Sequence, residues 1–83
     1  SAEARYNRAN LFVSLDQLDA ALADYAAAIE LHPTFADAHY NLGVVLLRCG
    51  RVAEARAAIA TYQQLGGRPP AAVLKLVGLA TDG

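Results

Sequence analysis

Apolar residues recur at intervals of three and four along most of the chain, which is the spacing of a helix with one buried face. Leu11, Leu15, Leu18 and Leu22 follow this spacing, with alanines filling many of the positions between such residues. No stretch has the apolar–polar alternation typical of a strand, so an all-α fold is predicted. Breaks in the pattern separate five predicted helices, at roughly 2–14, 18–31, 36–48, 52–65 and 70–80.

The breaks contain residues that favour turns. Gly50 suits a tight turn between the third and fourth helices, and Asp16 holds the equivalent place between the first and second. Pro33 closes the second helix, because proline cannot continue one. Thr34, with Asp37 three residues later, predicts a capping box at the start of the third helix.

The chain is similar to itself at an offset of 34 residues. This shift aligns residues 2–7 with residues 36–41 and keeps Ala21 over Ala55. Internal repeats of this length indicate stacked helical units, each of which buries its apolar face against a neighbour. The predicted organisation is a single domain over 1–83, with repeat one at 2–35, repeat two at 36–69 and a capping helix at 70–80.

A helix–turn–helix period of 34 residues resembles the tetratricopeptide repeat, whose pattern places an aromatic, Leu-Gly and Tyr in the first helix and Ala, Phe, Ala and Pro in the second. Repeat two keeps mainly the first half of the pattern, at His39, Leu42, Gly43, Leu46, Ala55 and Ile59. Repeat one keeps mainly the second half, at Phe12, Ala21, Tyr25, Ala28 and Pro33. The resemblance covers residues 2–69 and implies a right-handed α-solenoid of two repeats plus a capping helix.

Small residues are expected where paired helices cross most closely. In repeat two these are Gly43 and Ala55, and in repeat one Ala9 and Ala21. Larger side chains would fill the space on either side of the crossing, and ridges-into-grooves packing then sets the angle between the helices.

Two arginines depart from the family pattern. Arg8 stands where a buried leucine is usual, and Arg5 where the bulky aromatic is usual. Either the first helix is partly exposed at these positions, or it packs against another repeat upstream.

The last predicted helix looks too apolar for one buried face. We therefore predict that the outer side of this helix is apolar and contacts something outside this chain. The apolar residues concerned are Val73, Leu74, Val77 and Leu79.

In this family, ligand segments usually lie along the concave surface formed by the first helix of each repeat. Asparagine suits such a surface because its amide both donates and accepts hydrogen bonds, and tyrosine adds an apolar face with a polar tip. The resemblance implies a peptide-binding site made of Tyr6, Asn7, Asn10, Val13, Tyr40, Asn41, Val44, Leu47 and Lys75.

Asn7 and Asn41 hold identical places in the two repeats. They resemble the asparagine ladder in the tetratricopeptide region of O-linked N-acetylglucosamine transferases, although both asparagines also fit a shared repeat sequence with no such role. A carboxylate clamp, as in co-chaperones, fits poorly: Asn10 and Asn41 match it, but Tyr6 replaces its first lysine and only Lys75 is left as a later basic residue.

Composition narrows the partners and the compartment. A formal net charge of -1 argues against nucleic acid, which requires a basic surface. Cys49 is the only cysteine, so an intramolecular disulfide is impossible and a reducing compartment such as the cytoplasm is favoured. The apolar run 44–47 is too short to cross a membrane.

Charge is unevenly distributed along the chain. Residues 1–35 carry five acidic and two basic side chains, and residues 36–83 carry three acidic and five basic ones. This distribution fits either head-to-tail contact between copies or ordinary solvated faces.

Catalysis is not expected. His32 and His39 flank a turn containing proline, but no cysteine or pair of carboxylates converges with them in the sequence. Phosphate-binding loops, nucleophile elbows and histidine–glutamate zinc motifs are missing from the sequence. We therefore expect no enzyme activity, no metal and no cofactor.

The leading hypothesis is a module that binds a peptide or protein segment on its concave face, within a larger scaffold or multidomain protein. One alternative is self-assembly into homo-oligomers through exposed terminal helices. Another is an accessory domain for an enzyme encoded elsewhere in the same chain.

Overall fold

The structure is a computed structural model that describes residues 1–80. Within this range the fold is all-α, as predicted, and contains no strand. The end of the predicted domain at 81–83, including Asp82, lies outside the described residues. The helices are α1 (Ala2–Ser14), α2 (Leu18–Leu31), α3 (Ala36–Arg48), α4 (Val52–Gln64) and α5 (Ala71–Val77).

The two interhelical turns within repeats have the same left-handed conformation. Asp16 has φ 57°, and Gly50 has φ 76°. Glycine adopts this conformation without steric cost, and aspartate is one of the few other residues that visit it. Arg48 Nη2 donates to Asp16 Oδ1 at 3.1 Å and so links the end of α3 to the first turn. The predicted tight turns are confirmed.

The predicted capping box at the start of α3 is wrong. The N-cap residue is Phe35, and no side chain caps the helix there. Tertiary contacts hold this end instead: the Phe35 ring lies 4.8 Å from the Tyr6 ring, and His39 Nε2 lies 2.8 Å from the Pro33 carbonyl oxygen. An aromatic contact with α1 and a hydrogen bond to the preceding turn therefore stabilise the start of α3.

The core consists of two joined clusters. α1 packs on α2, α3 packs on α4, and α2 packs on α3, so the repeats form one stack. Val45 of repeat two belongs to the cluster of repeat one, and the partly buried Leu22 and Leu42 contact both. The first cluster contains Ala9, Ala21, Tyr25 and Val45, and the second contains Leu46, Ala55, Ala58, Ile59 and Val77.

The predicted close crossing in repeat two is confirmed at Gly43. A Cβ atom placed on Gly43 would lie 2.6 Å from Ile59 Cδ1 and 3.4 Å from the Ala55 carbonyl oxygen. The absence of a side chain thus lets α3 approach α4, where Ile59 is fully buried. Repeat one carries Ala9 at the position of Gly43.

α5 is shorter than the predicted helix over 70–80. Gly78 has φ 77° and ends the helix, and the Leu79 amide donates back to the Leu74 carbonyl at 2.8 Å. This is the hydrogen bond of a Schellman motif, which folds the following residue back onto the helix.

The predicted apolar outer side of α5 is wrong. Val77 is fully buried, and the other three residues of that prediction pack against the second cluster. They fit on one face because the Schellman turn brings Leu79 back over the core. Leu76 is the large apolar residue of α5 that remains exposed, at 65%. Arg56 of α4 donates to the Val77 carbonyl at 2.5 Å and holds the end of α5 in place.

Candidate functional site

A groove of ≈ 290 Å³ lies where side chains of α1 and α3, the first helices of the two repeats, meet. Its polar groups are amides and one phenol, and valines supply the apolar wall. It is lined by Asn10, Val13, Tyr25, Asn41, Val44 and Val45.

The amides in the groove belong to one hydrogen-bond network. Asn41 Nδ2 donates to Tyr6 Oη at 3.0 Å and to Asn10 Oδ1 at 3.1 Å. Tyr25 Oη also donates to Asn10 Oδ1. Side chains from three helices are therefore tied together.

Two atoms of this network are not used. Within residues 1–80, Asn10 Nδ2 and Asn41 Oδ1 make no hydrogen bond. In this part of the chain every fully buried side-chain nitrogen or oxygen atom has a hydrogen-bond partner. Since these two atoms have none, they are open to solvent. The groove therefore offers one hydrogen-bond donor and one acceptor on neighbouring amides.

Tyr25 belongs to the candidate site, although its place in the repeat pattern predicted only a packing role. It is 1% exposed, and burial raises the pKa of its phenol above the ordinary value. The hydroxyl therefore stays protonated at neutral pH and remains a donor to Asn10. A signal was present in the sequence, since tyrosine replaces the usual phenylalanine and a buried hydroxyl requires a partner. Val45 was also missed, and no comparable signal marked it.

The structure brings together five of the predicted site residues. Asn10, Val13, Asn41 and Val44 line the groove, and Tyr6 is bonded to Asn41. These residues lie on the first helices of the two repeats, as the resemblance implied.

The other four predicted residues do not line this groove. Asn7 is exposed on α1, and Lys75 is exposed on α5. Tyr40 contacts Tyr62 in a tilted arrangement with 4.9 Å between ring centroids, and Leu47 packs against the second cluster.

The arginines that depart from the family pattern surround a buried carboxylate. Asp24 of α2 is 4% exposed and accepts from Arg8 Nε at 2.6 Å and Arg8 Nη2 at 2.8 Å. Arg5 Nη1 lies 3.6 Å from the same carboxylate. The bidentate hydrogen bond from Arg8 holds the pKa of Asp24 below its ordinary value. Arg8 also lies 5.9 Å from the centre of the Phe12 ring.

Two other kinds of site are absent from the part of the chain that the structure describes. Among residues 1–80, no three His, Cys, Asp or Glu side chains are grouped so as to hold a metal ion. In the same part of the chain, no helix is both long and apolar enough to span a membrane.

Stacked helix–turn–helix pairs with a groove along their first helices define a helical repeat protein. Family comparison gives the particular type: a model described as TPR repeat matches residues 9–50, and one described as tetratricopeptide repeat matches residues 36–65. The chain belongs to the tetratricopeptide repeat family, whose repeats generally mediate protein–protein interaction. A comparison with curated proteins finds no match.

Proposed function

We propose that the groove binds an extended peptide segment of a partner protein. The observation that carries this proposal is the pair of unused amide atoms, Asn10 Nδ2 and Asn41 Oδ1. Every peptide unit of an extended segment presents one carbonyl acceptor and, outside proline, one N–H donor. A donor and an acceptor on adjacent asparagines can therefore bind the main chain of a ligand and tolerate many ligand sequences.

The network around the asparagines supports this role by fixing their orientation. Asn41 is held by Tyr6 and Asn10, and Asn10 is held by the buried hydroxyl of Tyr25. Side chains that are already ordered lose little conformational entropy when a ligand binds.

The groove wall indicates which side chains the ligand carries. Val13, Val44 and Val45 line it, and no charged residue does. Its ≈ 290 Å³ is near the lower end of the usual range for binding pockets, about 300–1,000 Å³. A short segment with small apolar side chains fits this space better than a charged segment.

This proposal refines the resemblance to the asparagine ladder of O-linked N-acetylglucosamine transferases. We propose that Asn41 has the ligand-binding role implied by that resemblance, with Asn10 rather than Asn7 as its neighbour in the groove. Recognition of an acidic C-terminus is still not favoured, because Lys75 does not line the groove.

We also propose that this part of the protein binds without catalysing a reaction. The lining residues include no carboxylate, histidine, cysteine or serine. The proposal is compatible with an accessory domain that positions a partner for an enzyme elsewhere in the same polypeptide. For the alternative of self-assembly through exposed terminal helices, the four apolar residues first singled out near the C-terminal end face the core, whereas Leu76 of α5 and Leu11 and Leu15 of α1 are exposed.

The test is a peptide selection followed by titration of matched variants. Peptides would be selected on the purified chain from a random library displayed on phage, and one synthetic binder would be titrated by calorimetry. Asn41→Ala should weaken binding about tenfold, because one main-chain hydrogen bond and the order of its neighbour are lost. Asn7→Ala is the matched control: it changes the same residue type at the same repeat position, but on an exposed site, and should leave the Kd unchanged.

The proposal also predicts how a charge in the groove acts. Val44→Glu should abolish binding of an apolar peptide, since a carboxylate would then line the groove. Circular dichroism would check that each variant keeps its helix content. Selected peptides whose Kd is the same for Asn41→Ala, Val44→Glu and the unmodified chain would place the binding surface elsewhere and refute the proposal.

A further inference from the structure

A second groove, of ≈ 500 Å³, is lined by side chains of α2, α3 and α4. α2 and α4, the second helices of the two repeats, both pack on α3 and leave this groove between them. On α3, Leu42 and Leu46 line the second groove, whereas Asn41 and Val45 line the groove described above, which we call the first groove. Successive positions of a helix point about 100° apart, so the two grooves lie on different sides of α3.

The lining of the second groove is mostly apolar, and its most exposed apolar side chains are small. Ala26 of α2 and Ala57 of α4 are exposed, Ile29 is half-buried, and Leu46 is only 4% exposed. How closely two helices approach depends on the side chains at their contact. The two alanines therefore leave room for another helix to lie between α2 and α4 and reach the leucine beneath.

The second groove offers little to the main chain of an extended peptide. Neither asparagine nor glutamine lines it. The Thr61 hydroxyl donates to the Ala57 carbonyl of its own helix at 3.1 Å, and His39 Nε2 lies 2.8 Å from the Pro33 carbonyl oxygen. An extended segment would therefore bury main-chain groups without partners, whereas a helix satisfies its main-chain groups internally. In this respect the second groove differs from the first, which has an open amide donor and acceptor.

The charge of the second groove is negative. Glu30 and Glu54 line it, and no lysine or arginine does. Arg51 Nη2 lies 2.6 Å from Glu54 Oε2 and so offsets one carboxylate. Within residues 1–80, Glu30 forms no ion pair. Glu30 can therefore bind a lysine or arginine of a ligand through a charge-assisted hydrogen bond.

We infer that the second groove docks an amphipathic, basic helix of a partner protein. The apolar side of this helix contacts Ile29 and Leu46, and a lysine or arginine beside that side binds Glu30. Helix-in-groove recognition uses the same combination of an apolar groove and an amphipathic ligand. The charge complementarity at Glu30 and the lack of main-chain partners together select a basic helix over an acidic helix or an extended segment.

The experiment selects helices on the purified whole chain. A phage library displays helices of about 18 residues, a length at which helices become stable in water. One side of each helix varies among alanine, leucine, isoleucine and valine, and the flanking positions vary among lysine, arginine, glutamate and glutamine. We expect lysine or arginine to be enriched over glutamate at a flanking position. One enriched helix is then synthesised and titrated by calorimetry.

The first pair of variants tests the space in the groove. Ala57→Lys should weaken binding of the selected helix at least about tenfold, because the longer side chain occupies the groove and its charge repels a basic ligand. Ala23→Lys is the matched control, since Ala23 is an exposed alanine that does not line the groove, and it should leave the Kd unchanged. Circular dichroism would check that both variants keep their helix content.

The second pair of variants tests the charge. Glu30→Gln should weaken binding about threefold at low salt, as expected for one partly exposed ion pair. Asp19→Asn removes an exposed carboxylate near the other end of the same helix and should have little effect.

The inference stands apart from the proposed function, because the two grooves share no lining residue among those that the structure describes. Asn41→Ala should leave binding of the selected helix unchanged, and Ala57→Lys should leave binding of an extended peptide in the first groove unchanged. Failure of one proposal is therefore distinguishable from failure of the other.

Three outcomes would overturn the inference. The first is a selection that enriches no helix, or that enriches glutamate over lysine and arginine. The second is a selected helix whose Kd is the same for Ala57→Lys and the unmodified chain. The third is a stable dimer of the unmodified chain, seen by light scattering over a dilution series and dissociated by Ala57→Lys, since a second copy would then occupy the groove.

Discussion

Repeat one carries Arg8 on its first helix and Asp24 opposite it on its second helix. The equivalent positions of repeat two carry Leu42 and Ala58. In repeat one an ion pair joins the two helices, with the carboxylate buried and the guanidinium half in water. In repeat two the same positions belong to an apolar core. The two hairpins therefore share a backbone arrangement but not the chemistry that stabilises it.

The difference follows from where each repeat lies in the stack. Arg8 lies on the outer side of α1 at the end of the stack, so its charge remains partly hydrated and the desolvation penalty of the pair is limited. Leu42 lies beneath α2, where a guanidinium would lose its water. The comparison teaches that a repeat position is apolar because of its neighbour rather than because the repeat itself requires it.

The largest expected effect distinguishes the two core clusters by substitution of a central side chain in each: Tyr25 in the first cluster and Ile59 in the second. Ile59→Ala should lower the free energy of unfolding by about 4 kcal/mol, because it leaves a cavity around a fully buried side chain. Tyr25→Phe should cost only about 1 kcal/mol, since Asn10 still accepts from Asn41. Urea denaturation followed by circular dichroism measures both, and equal losses would show that the hydroxyl network, rather than packing, dominates repeat one.

A second prediction converts the chemistry of repeat one into that of repeat two. Arg8→Leu alone should lower the Tm by roughly 10 °C, because the buried Asp24 carboxylate loses its bidentate partner. Arg8→Leu with Asp24→Ala should restore most of the loss, since a well-packed apolar pair replaces a buried ion pair at little cost. A double variant less stable than the single variant would contradict this account.

The third prediction concerns how the stability contributed by Asp24 depends on pH. The pKa of Asp24 is lower in the folded protein than in the unfolded chain, whose value is about 3.9. Its contribution to stability is therefore complete above the unfolded value and is lost as the pH falls through the folded value. The Tm difference between Arg8→Leu and the unmodified chain should accordingly narrow as the pH falls from 7 to about 2.5. A difference that stays constant with pH would mean that Asp24 is not the group involved.

The smallest effect tests the helix crossing. Gly43→Ala should lower the free energy of unfolding by about 1 kcal/mol, because the new methyl meets the buried Ile59 side chain and the clash exceeds the gain in helix propensity. Adding Ile59→Val removes the clashing Cδ1 atom and should reduce this loss, as a double-mutant cycle in urea would show. If Gly43→Ala stabilises the protein, α3 and α4 have room that the structure does not indicate.

The helix boundaries were largely predictable because they depend on local chemistry. Spacing, turn residues and Pro33 defined the first four helices to within one residue. Prediction failed at two helix ends: Phe35 rather than Thr34 is the N-cap residue of α3, and the Schellman turn at Gly78 shortens α5.

The candidate site was predictable in part. The family resemblance selected Asn10 and Asn41, but it gave equal weight to Asn7, which is exposed. Spacing along one helix states which residues share a side, not which of them meets a residue 31 positions away. The role of Tyr25 arises from a second helix and was therefore harder to foresee.

The sequence by itself determined the all-α fold, the repeat length and the small residues at the crossing in repeat two, because periodicity and side-chain size act over a few residues. Only the tertiary structure decided that Arg8 pairs with Asp24, that Asn10 and Asn41 share one network, and that α5 turns its apolar side inward. Each of these depends on how the helices pack against one another. Packing brings together groups far apart in the chain, and burial then requires their polar atoms to find partners.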